Sequence, residues 1–287
     1  MLPSAEILEP ARIVTGQVQS PAPAFHAVHI DHELLGDLFD PFLLIDHFEM
    51  NGPFFAPHPH AGFSVSTYLL PDSDGRILNR DTVGEDLLIE PGGVLWAHTG
   101  AGLQHEENPA ETGPRVHGVQ TWVNLPVAAK HAAPLRVSFG PDQIPVLAWP
   151  GGTEIRLLAG ALGAARGPEG PPNVTCYADV RMPPGAEATF DSALGENMFA
   201  FALEGAGRTG PKGADAALDA GQVAAFGRER GRIILRAGSG GLRLMLGSGR
   251  PLGIPIVQQG PFVASSRDEL RGYIERYRSG EMGQLSG

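Results

Sequence analysis

The sequence predicts an all-β protein that contains two copies of one β-barrel or sandwich and a single helix near the C-terminus. Three observations support this prediction. Short apolar runs rich in β-branched and aromatic residues recur along the chain, turn residues separate them, and two sequence patterns repeat about 130 residues apart. The 287 residues include 39 Gly and 26 Pro, a content typical of many short strands joined by tight turns.

Five segments have the composition of strands. They are residues 63–70, 116–125, 174–182, 198–203 and 233–237. Because no helical pattern lies between them, they favour a sandwich or barrel over a parallel sheet with crossover helices.

One helix is predicted over residues 266–279. Ser266 and Glu269 have the spacing of a capping box, in which each side chain bonds the backbone of the other residue. Apolar residues follow at helical spacing up to Gly280, a residue type that commonly ends helices. We expect this helix to pack on the outside of a sheet.

Charge and composition exclude several classes of protein. The chain has 21 Lys and Arg against 32 Asp and Glu, a net charge of −11, which argues against nucleic acid or an anionic membrane as the main partner. The single cysteine, Cys176, excludes an internal disulfide and a zinc–thiolate cluster, and we expect it to be buried in a strand. There is no signal-peptide pattern and no apolar stretch of about 18 residues, so we expect a cytoplasmic globular protein.

Two patterns occur twice and indicate an internal duplication. Residues 89–94 (IEPGGV) resemble residues 218–223 (LDAGQV) at an offset of 129, and residues 68–70 resemble residues 201–203 at an offset of 133. Short patterns of this kind also arise by chance. If the duplication holds, the Pro- and Gly-rich stretch 141–152 is the linker between the copies.

The histidines are confined to one half of the chain. All ten lie within the first 131 residues. If the chain holds two copies of one fold, only the first copy can bind a metal through histidine, and the second is structural or regulatory.

Two short pairs in the first copy have the spacing of metal ligands. They are His58 with His60 and His105 with Glu107, each with one residue between its members. On a strand, residues i and i+2 project from the same face, so each pair directs two ligand atoms to one point. Three imidazoles and one carboxylate leave positions open for water or substrate and favour non-haem Fe(II), although Zn, Mn, Ni and Cu are compatible with the same ligands.

Other residues near these pairs have two interpretations each. One group of histidines would form a metal site only on a helix, whereas its surroundings predict an extended segment: His26, His29 and His32. A second group either orients the metal ligands or belongs to the core and turns: His47, His98 and His117. Four aromatic residues either line a pocket for a flat substrate or belong to the core: Phe54, Phe55, Phe63 and Trp96.

Five blocks of sequence, spanning nearly the whole chain, resemble the signatures of the pirin family of the cupin superfamily. The combination of these blocks is specific to that family. They are residues 40–48 (DPFLLIDHF), 58–69 (HPHAGFSVSTYL), 91–107 (PGGVLWAHTGAGLQHEE), 120–125 (QTWVNL) and 260–263 (GPFV).

The resemblance implies a bicupin, two face-to-face antiparallel β-sandwich or jelly-roll barrels. Residues 1–140 would form a metal-binding cupin, and residues 141–287 a degenerate cupin without metal that ends in the helix. Carried over residue by residue, the ligands of the iron are His58, His60, His105 and Glu107. Bacterial members are similar to quercetin 2,3-dioxygenases, and animal members act as redox-sensitive transcriptional co-regulators.

Two functions from different classes therefore follow from the resemblance. The first is an iron-dependent oxidoreductase, a dioxygenase that uses O2 to cleave a flavonol such as quercetin or a related enol or phenol. In this enzyme Glu107 would be the general base that takes the proton of the substrate hydroxyl. The second is a non-enzymatic iron-binding module that reports the oxidation state of the metal to a protein partner.

The chain departs from the family pattern at several positions. Ala61 and Ser64 stand where the family usually has Arg and Glu, and Ala264 and Ser265 stand where it has Met and Asn. None of these changes removes a predicted ligand. The charges lost at positions 61 and 64 bear on the tuning of the metal and on the choice of substrate.

Overall fold

The computed structural model describes residues 6–285, which form mostly β-strands. In chain order the first twelve strands are β1 (Arg12–Thr15), β2 (Gln17–Ala22), β3 (Phe25–Asp31), β4 (Phe42–Met50), β5 (His58–His60), β6 (Phe63–Leu69), β7 (Ile77–Asp81), β8 (Leu87–Ile89), β9 (Val94–His98), β10 (Leu103–Pro109), β11 (Val116–Asn124) and β12 (Leu135–Phe139). The remaining strands are β13 (Val146–Trp149), β14 (Thr153–Leu162), β15 (Ala165–Arg166), β16 (Val174–Met182), β17 (Glu187–Ser192), β18 (Asn197–Thr209), β19 (Ala216–Asp219), β20 (Gln222–Phe226), β21 (Gly231–Gly249), β22 (Val257–Gln259) and β23 (Phe262–Ala264). The all-β prediction is confirmed.

The five predicted strands are present as β6, β11, β16, β18 and β21. Two of them are longer than predicted, because β18 has 13 residues and β21 has 19. The sequence predicts that β18 ends near Glu204 and Gly205, which instead form a bulge. The pairing register with β21 shifts there, and Gly205 has a φ of +76°. The strand therefore continues past the glycine.

Residues 6–285 contain two α-helices, α1 (His32–Leu35) and α2 (Arg267–Arg278). The second confirms the predicted C-terminal helix and its start, because the Ser266 hydroxyl accepts a hydrogen bond from the backbone N–H of Glu269 at 3.2 Å. Single 3-10 turns lie at Gly36–Leu38, Ala129–His131, Pro141–Gln143 and Pro150–Gly152. No helix among residues 6–285 is both long and apolar enough to span a membrane.

The chain divides into two compact units, and each unit takes segments from both ends of the sequence. The first, called the histidine unit below, contains residues 18–29, 42–143 and the chain from Leu252 onward. The second unit contains the chain up to Gln17, residues 30–41 and residues 144–251. The predicted boundary near residue 140 lies close to the change of unit after Gln143, but the N-terminal segment belongs to the second unit and the C-terminal segment to the histidine unit. The reason is that β1 pairs with β20, whereas α2 packs on β22 and β23.

The histidine unit contains two main antiparallel sheets. A seven-stranded sheet has the order β12-β9-β6-β11-β4-β3-β2, and a four-stranded sheet has the order β5-β10-β7-β8. Both contribute to one apolar core, which includes Phe48 and Val65 from the larger sheet and Ile77 and Leu103 from the smaller one. Two sheets over a shared core form the sandwich or jelly-roll arrangement of a cupin.

The second unit is built on one ten-stranded sheet with the main order β1-β20-β18-β21-β16-β14-β13. It has a separate apolar core, in which Cys176 of β16 is buried as predicted. The predicted linker over residues 141–152 is partly wrong, because it contains β13, which pairs with β14. The apolar run Val146–Trp149 supplies an edge strand to the sheet, a role that the surrounding Pro and Gly residues hid in the sequence.

The predicted duplication is visible as the same turn in both units. Gly92 follows β8 and Gly221 follows β19, and both have a φ of +83°, a backbone conformation that favours glycine. The N–H of Gly92 donates to the carbonyl of Leu69 at 2.8 Å, and that of Gly221 donates to the carbonyl of Ala202 at 2.9 Å. Equal conformations with equivalent hydrogen bonds show that the sequence repeat reflects a structural one.

A buried lysine joins the C-terminal segment to the strands of the histidine unit. Lys130 is 0% exposed, and its Nζ donates to the carbonyl of Gly62 at 2.5 Å, to Asn124 Oδ1 at 2.6 Å and to the carbonyl of Val263 at 3.0 Å. Burial lowers the pKa of Lys130 to about 8. Because Gly62 follows β5 directly after Ala61, this lysine fixes the end of the strand that carries His58 and His60.

Replacing Lys130 with Met is expected to lower the free energy of unfolding by about 3 kcal/mol. The apolar side chain fills similar space but leaves three buried acceptors without a donor, and each unsatisfied group costs about 1–3 kcal/mol, partly recovered by relaxation. Urea denaturation followed by circular dichroism measures this change. The matched control is Lys212→Met at an exposed position, which should change stability little. Equal stability of the two variants would contradict the role given to Lys130.

Candidate metal centre

Strand pairing brings three histidines together inside the histidine unit. β5 and β10 are antiparallel neighbours in which His105 lies opposite His58 and Leu103 lies opposite His60. Directly opposite residues project from the same face of a sheet, and so do residues two apart on one strand. His58, His60 and His105 therefore share one face.

The imidazole rings of these histidines converge through their Nε2 atoms. His58 Nε2 lies 3.1 Å from His60 Nε2 and 3.1 Å from His105 Nε2. The ring centroids of His60 and His105 are 4.6 Å apart. Three ligand atoms within 4.8 Å of one another form a group that can hold a metal ion.

The three imidazoles are held in the neutral form that metals require. Burial lowers the pKa of His58, lowers that of His60 well below its usual value, and lowers that of His105 to about 3. His58 Nδ1 lies 2.9 Å from the carbonyl of Ala56, to which it donates, so its Nε2 keeps a free lone pair. A set of nitrogen donors without thiolate fits a first-row divalent metal ion.

Glu107 lies beside this group but is held away from it. It follows His105 by two residues on β10, and the Thr67 hydroxyl donates to its Oε2 at 2.6 Å. Its ligand atoms are not among those that lie within 4.8 Å of one another, and its buried Oε1 makes no hydrogen bond within residues 6–285. Burial raises the pKa of Glu107 to about 7, and the charge of Asp81 adds to this rise, whereas the side chains of Thr67 and Gln120 oppose it. The structure thus brings together three of the four predicted ligands, and Thr67 holds the fourth.

A cavity that is partly open to solvent adjoins Glu107. Its wall is mainly apolar and contains three polar side chains. The apolar lining consists of Phe25, Phe48, Met50, Phe55 and Ile77. The polar lining consists of Asp46, Glu107 and Gln120. An apolar cavity with a few polar groups is the usual form of a small-molecule site.

The four aromatic residues proposed for the pocket lie in different places. Phe55 lines the cavity, and Phe54 packs behind it against Phe25, with ring centroids 4.9 Å apart. Phe63 is fully buried and contacts the edge of His60 at 5.1 Å, and Trp96 is fully buried on β9. Neither of these two lines the cavity.

Sequence reasoning did not identify Asp46 and Gln120 as cavity residues. A signal was present for Asp46, because it interrupts the apolar run of β4 and has the same alternation as Phe48 and Met50. No comparable signal marks Gln120, whose place depends on the pairing of β11 with β4.

The other histidines do not join the metal group. His47 and His117 lie on the opposite face of the sheet, with their Nε2 atoms 2.6 Å apart. His98 bonds Ser64 at 2.6 Å, so Ser64, one of the departures from the family pattern, is the partner of a histidine. His26 and His29 lie on the extended strand β3, in agreement with the predicted extended segment, but His32 begins helix α1, so the prediction is wrong at that residue.

The second unit contains a single histidine, His32 at the start of α1, and so cannot form a three-histidine group. Its β17 and β21 pair Glu187 with Arg236, and these side chains form an ion pair at 2.8 Å. The sequence repeat, at its offset of 129 residues, aligns Glu187 with His58 and Arg236 with Glu107. A carboxylate paired with a guanidinium is not available to a cation, so these two positions of the repeat do not supply metal ligands.

Comparison with protein families gives two matches along the chain. The model described as Pirin matches residues 24–123, and the model described as Pirin C-terminal cupin domain matches residues 177–283. Together they cover both units of the duplication.

Relatives and solved structures agree with these matches. A pirin-like protein of Caulobacter vibrioides is 33% identical over 281 residues, which cover 94% of this chain and 97% of that protein. The crystal structure of a quercetin 2,3-dioxygenase from Acinetobacter baumannii has a TM-score of 0.87 at 26% identity and covers 99% of this chain and 100% of its own. The structure of GK1651 from Geobacillus kaustophilus has a TM-score of 0.76 at 28% identity, covering 88% of this chain and 99% of its own.

Proposed function

The chain belongs to the pirin family, and from this premise we propose that it is an iron-dependent dioxygenase that cleaves a flavonol or a related enol or phenol. The observation that carries the proposal is the position of Glu107, which lines the cavity and also follows His105 on the same face of β10. The solved relative named a quercetin 2,3-dioxygenase supports the choice of substrate class. The proposal requires a flat phenolic compound and O2, and neither nucleic acid nor a membrane. The cytoplasmic location stays a prediction.

The residues present fit a metal ion at the histidine group. His58, His60 and His105 would hold it, with Glu107 as the fourth ligand when its carboxylate turns from Thr67. Iron is proposed because mixed nitrogen and oxygen ligands with open positions are typical of non-haem Fe(II). When bound, the metal supplies Lewis-acid stabilisation to a substrate oxygen and the redox chemistry that O2 requires.

Glu107 would act as the general base. When Glu107 is not a metal ligand, Thr67 fixes Oε2 and leaves Oε1, which makes no hydrogen bond within residues 6–285, to take the proton of the substrate hydroxyl. Loss of this proton gives the electron-rich enolate that reacts with O2. The apolar wall formed by Phe25, Phe48 and Phe55 would hold a flat ring against Glu107 and exclude water from it.

The expected result is that protein loaded with iron under anaerobic conditions removes the flavonol absorbance of quercetin when air is admitted, with matching uptake of O2. An oxygen electrode and an absorbance spectrum measure the two changes in one sample. The same protein treated with a chelator is the control and should show neither. Iron-loaded protein that takes up no O2 with any phenolic, but captures a protein partner only in the ferric state, would instead favour the redox-reporting module.

A further inference from the structure

A row of polar side chains crosses the interior face of the seven-stranded sheet beside the cavity. Gln120 on β11 is the Cα partner of Asp46 on β4 and of Thr67 on β6. On β3, His29 Nδ1 lies 2.6 Å from Asp46 Oδ1. Paired residues stand side by side on one face of a sheet. Four neighbouring strands therefore carry a continuous row, which ends where Thr67 bonds Glu107.

The row presents a hydrogen-bonding atom to the cavity at Asp46. The imidazole of His29 engages one carboxylate oxygen of Asp46, which leaves Oδ2 for a ligand. Gln120 is already engaged, because its Oε1 accepts a hydrogen bond from Trp122 Nε1 at 3.3 Å and its side chain also stabilises the charged form of Glu107. The cavity thus offers a ligand two carboxylates, those of Asp46 and Glu107.

Partial burial of the Asp46 carboxylate is unfavourable in free energy, and a hydrogen bond from a ligand would offset this. The side chains of Asp46 and His29 are only 19% and 14% exposed, and Asp46 shares the wall with five apolar residues. A partly buried carboxylate is stable when its oxygens receive hydrogen bonds, and among the described residues only Oδ1 of Asp46 has such a partner. The proposed reaction uses Glu107 and the histidines but gives Asp46 no role.

We propose that Asp46 is a specificity-determining residue, which accepts a hydrogen bond from a second hydroxyl group of the substrate. This inference rests on the proposed function, in which Glu107 takes the proton of the first hydroxyl. His29 is the positioning residue that fixes the carboxylate of Asp46. The cavity therefore selects aromatic compounds that carry two hydroxyl groups on different parts of the molecule, one for Glu107 and one for Asp46.

The test compares the binding of two flavonols to iron-loaded protein by calorimetry without O2. The probes are quercetin and 3-hydroxyflavone, which keeps the reacting 3-hydroxyl and lacks every other hydroxyl group. Wild-type protein should bind quercetin about tenfold more tightly, the usual effect of one hydrogen bond to a charged group. In Asp46→Leu this ratio should fall to about one, and in His29→Gln it should fall in between. The matched control, Asp74→Leu at an exposed turn, should keep the wild-type ratio.

Using a ratio within each variant removes the effect of partial unfolding, which weakens both ligands equally. A wild-type ratio near one, or an unchanged ratio in Asp46→Leu, would overturn the inference even if the protein turns over quercetin. A ratio that falls in Asp46→Leu, in a protein that takes up no O2 in air, would leave Asp46 as a ligand-binding residue and reject the dioxygenase. The two failures are therefore distinguishable.

Discussion

Replacing His105 with Ala is expected to lower the affinity for a divalent metal ion by more than about 100-fold. Loss of a group that only orients a ligand costs about 10–100-fold, so loss of a ligand itself should cost more. His105 is fully buried and its Nε2 lies 3.1 Å from that of His58, so its loss removes one of the three converging nitrogen atoms. Metal content after dialysis, and competition with a chromophoric chelator, measure the affinity.

The matched control for this variant is His26→Ala. His26 lies exposed on β3 and bonds Ser20, so its loss should leave metal binding unchanged. If His105→Ala keeps one equivalent of metal at wild-type affinity while it remains folded by circular dichroism, the three histidines are not the metal site. The proposed function would then lose its basis.

Patterns within short segments of the sequence predict most of the fold. Alternation over two residues and the turns between strands are properties of short segments, so the sequence alone predicts β6, β11 and β16 closely. The exchange of terminal segments between the units is not a local property. β1 is half exposed and α2 is amphipathic, and either could pack on any sheet with a free edge or apolar surface. Only the tertiary contacts decide which unit receives them.

The same distinction applies to the site. The pairs His58/His60 and His105/Glu107 are visible because each lies within three residues of one strand. The row formed by Asp46, Gln120 and Thr67 spans three strands, and it exists only through the register of β11 with β4 and β6. A shift by one residue would send Gln120 to the other face of the sheet. That register is set by the packing of the whole core and cannot be read from one segment.

Replacing Glu107 with Gln is expected to leave the metal bound but to lower kcat for the flavonol by about 100- to 10,000-fold, the usual contribution of a positioned general base. Glutamine keeps the size of the side chain and an oxygen that accepts the Thr67 hydroxyl, so the local packing should survive. Its amide cannot take a proton. Metal content and the rate of O2 uptake, measured on the same preparation, separate the two effects.

Glu106→Gln is the matched control, because it makes the same chemical change one residue away on the opposite face of β10. Its side chain pairs with Arg80 at 2.5 Å and does not line the cavity, so activity should remain near wild type. Wild-type turnover in Glu107→Gln would remove Glu107 as the base. Asp46, the other carboxylate on the cavity wall, would then be the acceptor to test, since a phenolic proton must pass to a group within hydrogen-bond reach of the ring. Loss of activity in both glutamine variants would instead point to a shared structural effect, because the two side chains project from opposite faces of one strand.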